Sequence, residues 1–398
     1  MRLNVLVIDR SPPANLLQGN ALIGYEVQRR LAHHRRTLVA PAPRGPAEDD
    51  QRRLADTFDA IHLVPRLRPV DALAGSLEAH LADRLPMLPF LNLPAAREFA
   101  RTLRDVTRQE RFDVIHVRQL PMAGFGKRLS APRLLELIDS ETLGAERSRP
   151  ATVRTRVRAS AAAVIERHAM RRYRVVTAVA VADADRLRQL DPRRRVEVIP
   201  NGVDADYFRP EPTVAADPDT LVFVGAMSFP PNVAAMRHFC HEVLPLVRRA
   251  RPSVRLTIVG RDPAPMVLQL AELDGVGVTG EVDDVRPYLV RAAAVVVPMV
   301  SGSGIKNKVL EAMAAGRPVV GTSMAVEGLP VVSGREAVVA DGPEGLAAAI
   351  TNLLASPERQ DAIGQAARAF VEARYTWDAC AAAYDQLYRE LADARRRA

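Results

Sequence analysis

Residues able to hold an anion gather in one stretch, MVSGSGIKNKVLEAMAAGRPVVGT, running from Met299 to Thr322. Ser301, Gly302, Ser303 and Gly304 offer a backbone that can approach a phosphate closely. A helix expected from Ile305 to Ala315 would aim its unpaired N–H groups and its positive dipole end at the same spot. Lys306 and Lys308 bring full positive charge to that helix start, and Glu311 lies about two turns in, at a depth where a carboxylate accepts hydrogen bonds from ribose hydroxyls. The same features have a plainer reading, because a glycine-rich turn before a helix is a common connection and lysines at a helix start are commonly solvated charges. Asp139, at the end of LLELID and followed by Ser140 and Glu141, is either a base for an incoming hydroxyl or a helix-capping or turn residue.

Such a turn needs a strand before it and another after its helix. The apolar runs LVFVG (221–225), VRLTIVG (254–260), Val276–Thr279, AAVVVPMV (293–300) and RPVVGT (317–322) alternate with helical stretches at Pro231–Arg249, Pro265–Asp274 and Asp283–Arg291. Near-continuous apolar strands separated by amphipathic helices specify a parallel sheet covered on both faces, a doubly wound domain. The first half repeats the pattern more weakly, with LNVLVID (3–9), TLVAP (37–41), Ile61–Val64, FDVIHV (112–117), LLELID (134–139), VVTAVAVA (175–182) and VEVIP (196–200). The polar, Pro-rich stretch 204–220 reads as the linker. The expected division is therefore an N-terminal Rossmann-like domain over 1–205, a second over 206–374, and a C-terminal helix over 375–398. The stripe of Tyr375, Trp377, Tyr384, Leu387, Tyr388 and Leu391 would pack that helix back toward the first domain.

The net charge of +8 is unevenly spread: residues 1–200 hold 35 Lys and Arg against 23 Asp and Glu, and the remainder 20 against 24. A basic half suits a phosphorylated substrate, an anionic membrane surface or nucleic acid, and also suits an Arg-rich surface with no partner. The segment RSRPATVRTRVRASAAAVIERHAMRRYR (147–174) reads as a helix with Arg on several faces, suited to anionic lipid or a lipid-diphosphate acceptor. No nucleic-acid-binding motif accompanies the charge, so nucleic acid is not expected as a partner. Cys240 and Cys380 lie far apart with no C-x-x-C spacing, which argues against a disulfide framework or zinc site and for a reducing compartment. The start MRLNVLVIDR lacks the order of a signal peptide, and the longest apolar runs are about half of the roughly 20 residues a spanning helix needs. The expectation is a cytoplasmic protein, with peripheral attachment to the inner face of the cell membrane through the basic segment.

The stretch around V-L-E-A-M-A-A-G-R-P-V-V resembles the E-x7-E donor motif of the retaining glycosyltransferases of family 4, in the subgroup with Gly-Ser-Gly and Lys at the helix start. The resemblance implies a GT-B fold, two Rossmann-like domains facing across a cleft. Glu311 falls on the motif's second carboxylate, which grips the nucleotide ribose, while the first, which contacts the donor sugar, falls on Ser303. The Ser303 hydroxyl and the N–H groups of Gly304 and Ile305 would then hold the sugar or β-phosphate. FVGAMSFPPN (223–232), with Gly225, corresponds to the strand and loop that supply an Arg and a Lys to the diphosphate in many relatives; both are absent here, leaving Lys306 and Lys308 in their place. VTGEVDDVRPYL (278–289) is similar to the loop bordering the nucleobase, with Gly280 and Val282 as its candidates. SPPANLLQGN resembles the glycine-bearing loop that reaches the donor phosphates, at Gly19 and Asn20. FDVIHVRQLPMAG resembles the D-V-x-H segment, with His116 in place and Arg118 where many members carry a second His; Arg118 cannot serve as a base near neutral pH. His116 also has the simpler reading of a satisfied strand histidine. VIPNGVDADYFRP (198–210) is similar to the family's stretch before the second domain, where Asn201 and Gly202 turn the chain.

Taken together, the resemblance implies retaining transfer from a nucleoside-diphosphate sugar, a co-substrate rather than a bound cofactor, to a hydroxyl of a glycan or lipid-linked acceptor in polysaccharide or glycolipid assembly. His116, Arg118 and Asp139 are its catalytic candidates. No metal is expected, since members of this subgroup generally work without one and the D-x-D pair Asp183 and Asp185 falls at a helix start. Two rival readings share the fold: a sugar-nucleotide epimerase or hydrolase, and a noncatalytic nucleotide-sugar-binding protein.

Overall fold

The computed structural model describes residues 1–10, 12, 19–42, 48–64, 94–147, 152–302 and 304–397. The chain divides into two compact units, one formed mainly by Met1–Glu146, Pro150–Pro200 and Trp377–Ala398, the other by Asn201–Thr376 with Arg147. Each is built on a single parallel sheet with helices in its connections.

In the first unit the strands β1 (Asn4–Ile8), β2 (Arg35–Pro41), β3 (Ala60–Val64), β4 (Val114–Arg118), β5 (Arg133–Ile138), β6 (Val175–Ala178) and β7 (Arg195–Val198) lie in the order β3-β2-β1-β4-β5-β6-β7. In the second, β8 (Asp217–Val224), β9 (Arg255–Val259), β10 (Val276–Val278), β11 (Ala292–Val297), β12 (Val319–Gly321) and β13 (Val338–Val339) lie in the order β10-β9-β8-β11-β12-β13. Both sheets reverse direction once, between β1 and β4 and between β8 and β11, and such a reversal opens a crevice beyond the carboxyl ends of the two strands. The continuous burial of β4 and β11, every residue of each, is what two covered faces require. Each unit therefore has the doubly wound α/β architecture expected from the sequence.

Differences from the sequence reading have local causes. VVTAVAVA is a strand only to Ala178, after which Val181–Leu190 is helical, with Asp183 in the helix's first turn accepting the Ser140 N–H at 2.8 Å. β8 starts at Asp217, inside the expected linker, its outer end pairing with β11 through a register shift. The single helix expected over Pro231–Arg249 is Pro230–His238, a wide turn at Phe239–Val243, and Leu244–Ala250, because Pro245 has no N–H to give an unbroken helix. β13, two residues long, is too short to show any periodicity.

The helix Asn307–Ala314 ends as its sequence dictates. Gly316 takes φ 67°, the Gly316 N–H reaches Met313 O at 3.0 Å and the Arg317 N–H reaches Ala312 O at 3.0 Å, so the last carbonyls are satisfied. Arg368, on the helix Pro357–Arg374, donates to Ala314 O and, at 3.3 Å, to Phe208 O and Ala205 O. Gly364 on that helix lies so close to Gly316 O that a Cβ would strike it. Gly364→Ala is therefore expected to cost about 1–3 kcal/mol in chemical unfolding. An unchanged midpoint would contradict this packing.

Candidate functional site

At the reversal of the second sheet, β8 runs out into Gly225 and β11 into the turn after Met299. Gly302 and Gly304 take φ 114° and 71°, values that side chains rarely adopt, so the turn is built on glycine. Ser303 lies outside the described residues. Ile305 is buried, and Lys306 caps the helix with φ −88° and ψ 102°, its Nζ donating to Gly304 O at 2.5 Å. The helix thus starts at Asn307, two residues later than expected, because Lys306 stays extended to close the turn.

Lys308 is the cation that faces the crevice strands. Its Nζ donates to Asn232 Oδ1 at 2.6 Å and stands 4.1 Å from the centroid of the Phe223 ring. Asn232 is oriented in turn by donating to Ala226 O at 2.9 Å. A Cβ added at Gly225 would lie 2.7 Å from Asn232 Nδ2 and 3.0 Å from Lys308 Nζ, so glycine there keeps the lysine in place. Burial lowers Lys308 to about 7, against the pull of Glu311, and raises Glu311 to about 7, against the pull of Lys308. Asn232 escaped the sequence reading because its role exists only once β8 and β11 lie side by side. At the base of the same helix, Asn201 Nδ2 donates to Asn307 Oδ1 at 3.0 Å, tying the N-G turn to the helix start.

Beyond β8, β9 and β10 the chain turns through Gly225, Gly260 and Gly280. Gly260, at φ 153°, presses against Gly225 O and donates its N–H to Gly280 O at 3.2 Å, and Gly280, at φ 71°, has open space where a Cβ would stand. Val282 is half-buried just past it.

In the first unit the expected residues separate. Gly19 and Asn20 open the exposed start of the helix Gly19–Arg30. His116 and Arg118, expected at the chemistry, are instead interior: His116 is 0% exposed and Arg118 1%. Arg118 binds Asp9, Glu136 through Nε at 2.8 Å and Nη2 at 3.1 Å, and Asn20 O at 3.0 Å, while His116 meets Tyr388 Oη at 2.7 Å and Glu136 at 2.9 Å. The Arg118 guanidinium, opposing the effect of burial, holds Glu136 down to about 2. These partners assign both residues to the interior network instead of a substrate. Asp139 is exposed, carried past β5 by Ile138 at φ 67°, and the helix Glu141–Glu146 takes its cap from Ser140, whose Oγ accepts the Leu143 N–H at 3.2 Å. Gln119, directly after β4, is likewise at φ 72°, so backbone strain marks the carboxyl ends of both central strands.

Among the described residues, His33, His34 and Asp385 bring three ligand-type atoms within 4.8 Å. His34 Nδ1 accepts the Leu3 N–H at 3.2 Å, so Nε2 carries the proton and donates to Asp385 at 2.6 Å, and Asp385 also accepts from Arg389 at 2.9 Å. With its lone pairs so committed, the cluster ties the helix Trp377–Arg396 down and does not suit a cation.

Residues 26–207 match the family model described as Glycosyltransferase Family 4, and residues 218–356 match that described as Glycosyl transferases group 1. The chain is 33% identical over 216 residues to a D-inositol 3-phosphate glycosyltransferase of Segniliparus rotundus, covering 48% of this chain and 46% of the relative. It is 31% identical over 216 residues to a GDP-mannose-dependent alpha-(1-6)-phosphatidylinositol monomannoside mannosyltransferase of Mycobacterium tuberculosis, covering 48% and 55%. It thus spans about half the length of the curated relatives it matches. Among solved structures it is similar to sucrose-phosphate synthase of Thermosynechococcus elongatus, with a TM-score of 0.73 and 17% identity over 98% of this chain and 100% of that one. Anabaena HepE, solved with UDP and glucose, has a TM-score of 0.69 and 15% identity over 97% and 99%.

The shifted pair has a signature in stability. Glu311, raised from 4.5 to about 7, holds its proton more tightly when folded, so its contribution is complete below about pH 4.5 and is lost as pH rises through 7. The wild-type unfolding free energy in urea, less that of Glu311→Gln, should fall by about 2 kcal/mol between pH 5 and 7. A difference independent of pH would remove the buried-carboxylate account.

Proposed function

We propose that this chain, a transferase whose units carry the two glycosyltransferase family regions, moves a sugar from a nucleoside-diphosphate sugar to an acceptor hydroxyl with retention of configuration. One observation carries the reading: Lys308, half-buried, is held by Asn232 and Phe223 at the reversal of the second sheet, beside a turn made of positive-φ glycines. A departing nucleoside diphosphate gathers negative charge, and a fixed lysine with a helix start is the arrangement that meets it without reorganisation. Gly280, with open space where a Cβ would stand, leaves room for the nucleoside, with Glu311 accepting from its ribose. Asp139, exposed at a strained strand end in the first unit, is the group we assign to accept the proton of the acceptor hydroxyl.

A lipid-linked acceptor accords with the inositol lipid in the name of the M. tuberculosis relative and with the helix Val153–Met170. Val153, Val157 and Val164 are 78%, 63% and 56% exposed. At about 100° per residue they share one narrow face, with Arg154 and Arg158 on one side of it and Arg156 and Arg167 on the other, all exposed. Apolar side chains between arginines match an anionic bilayer surface. Among the described residues no helix is long and apolar enough to cross a membrane.

Turnover with a panel of UDP-, GDP-, ADP- and TDP-sugars and a glycolipid acceptor extract tests the transfer. One donor should be consumed only when acceptor is present, NMR of the product should show the donor's anomeric configuration, and Lys308→Ala should lower kcat/KM by about 100-fold or more. Donor conversion without acceptor would favour an epimerase or hydrolase, and tight nucleotide binding with no turnover a binding protein. In vesicle flotation the protein should prefer anionic over zwitterionic lipid at low salt, and Val157→Asp should abolish the preference. Equal partition onto both vesicles would discard the membrane surface.

A further inference from the structure

The carboxyl edge of the second sheet turns through glycines on one side of the reversal and is hollowed on the other. Beyond β11, β12 and β13 lies a cavity of about 380 Å³ lined by Met299, Val300, Thr322, Ser323, Met324, Glu327, Asp341 and Arg147. This volume is at the small end of small-molecule sites, about 300 to 1,000 Å³. Its walls are tied together: Thr322 Oγ1 donates to Met299 O at 2.8 Å, Asp341 accepts the Ser323 N–H at 3.0 Å and its hydroxyl as well, and Glu327 takes both arms of Arg147 at 2.5 and 2.7 Å. Met299 and Val300 are also the residues from which the glycine turn departs, so the cavity and the turn share one strand end.

Resting on the proposed donor site, we infer that this cavity takes the sugar ring of the donor, and that Asp341 and Glu327 are the residues that select it. A nucleoside laid along Gly225, Gly260 and Gly280 with its diphosphate at the turn directs the remaining moiety toward β12 and β13. Two carboxylates face one guanidinium there, a balance that repels a further anion and favours neutral hydroxyls. Each carboxylate has acceptor capacity beyond the bonds it already makes, and a sugar hydroxyl can donate to it. Met299, Val300 and Met324 supply apolar surface for the C–H faces of the ring. The ligand class is therefore a neutral hexosyl group, and uronosyl or other acidic donors are disfavoured.

Calorimetric titration of the full chain with UDP, GDP, ADP and TDP, each as the free diphosphate and as its hexosyl sugar nucleotide, separates the sugar from the nucleotide. Asp341 is exposed, which makes Asp341→Asn a mild change, and Glu327→Gln is tested beside it with thermal unfolding as a control for folding. For the pair that binds, both variants should keep the wild-type affinity for the free diphosphate within about twofold and lose about tenfold or more for the sugar nucleotide. Asp341→Asn alone is decisive if Glu327→Gln proves unstable. Sugar-nucleotide affinity unchanged in Asp341→Asn overturns the assignment and leaves the donor site standing. A wild-type chain that binds neither diphosphate nor sugar nucleotide sinks the proposed function and this assignment with it.

Discussion

The second sheet reverses between β8 and β11, and the gap at that reversal has to be closed by something small enough to leave a crevice and charged enough to be useful. Gly225 gives up a side chain, Asn232 is turned toward the gap by Ala226 O, and Lys308 arrives from the far side of the glycine turn to lie over Phe223. Taking an ammonium out of water is costly, and one neutral amide and one ring do not fully repay it, which is why burial brings Lys308 to about 7. A group kept in that condition is poised to gain from an anion, whose charge would restore what the protein withholds. The far end of the Asn307–Ala314 helix is fixed by the Gly316 turn and by Arg368.

The first unit solves the equivalent problem differently. Its reversal lies between β1 and β4, and there the chain places Arg118 against Asp9 with Glu136 alongside, so the charges satisfy one another inside the protein. His116 and Tyr388 extend that network to the helix Trp377–Arg396, which binds the C-terminal segment into the unit. A buried ion network of this kind resists loss of any member, because the remaining charge would be left unpaired. Outside this network, the strand ends carry Gln119 and Ile138 at positive φ and an exposed Asp139.

Much of this was legible in the residues. The alternation of apolar runs with helical stretches specified two parallel sheets, and the glycine turn with its following helix was visible from Ser301 onward. The buried stripe Tyr384, Leu387, Tyr388 and Leu391 also fits the spacing that marks a packed helix. Boundaries were less visible, because Ala- and Val-rich segments such as 175–182 serve strand and helix alike and the first turn at Asp183 settles the matter only through the distant Ser140. Asn232 and the cavity residues Thr322, Ser323, Glu327 and Asp341 had no local signal at all. Their chemistry arises from tertiary contacts that bring together segments 18 to 180 residues apart in a way no periodicity records. His116 and Arg118 were visible as unusual residues, but only burial reveals that their partners are Glu136 and Asp9.

The central claim is that the turn and helix start from Gly302 to Val309 close around a nucleoside diphosphate. Amide hydrogen exchange, followed peptide by peptide with saturating UDP and GDP, reads this directly. The account predicts that one of the two slows exchange across Gly302–Val309 and in the Gly225–Asn232 loop, and that Lys308→Ala loses this protection. Protection confined to other segments, or none in either region with a nucleotide shown to bind, would contradict it.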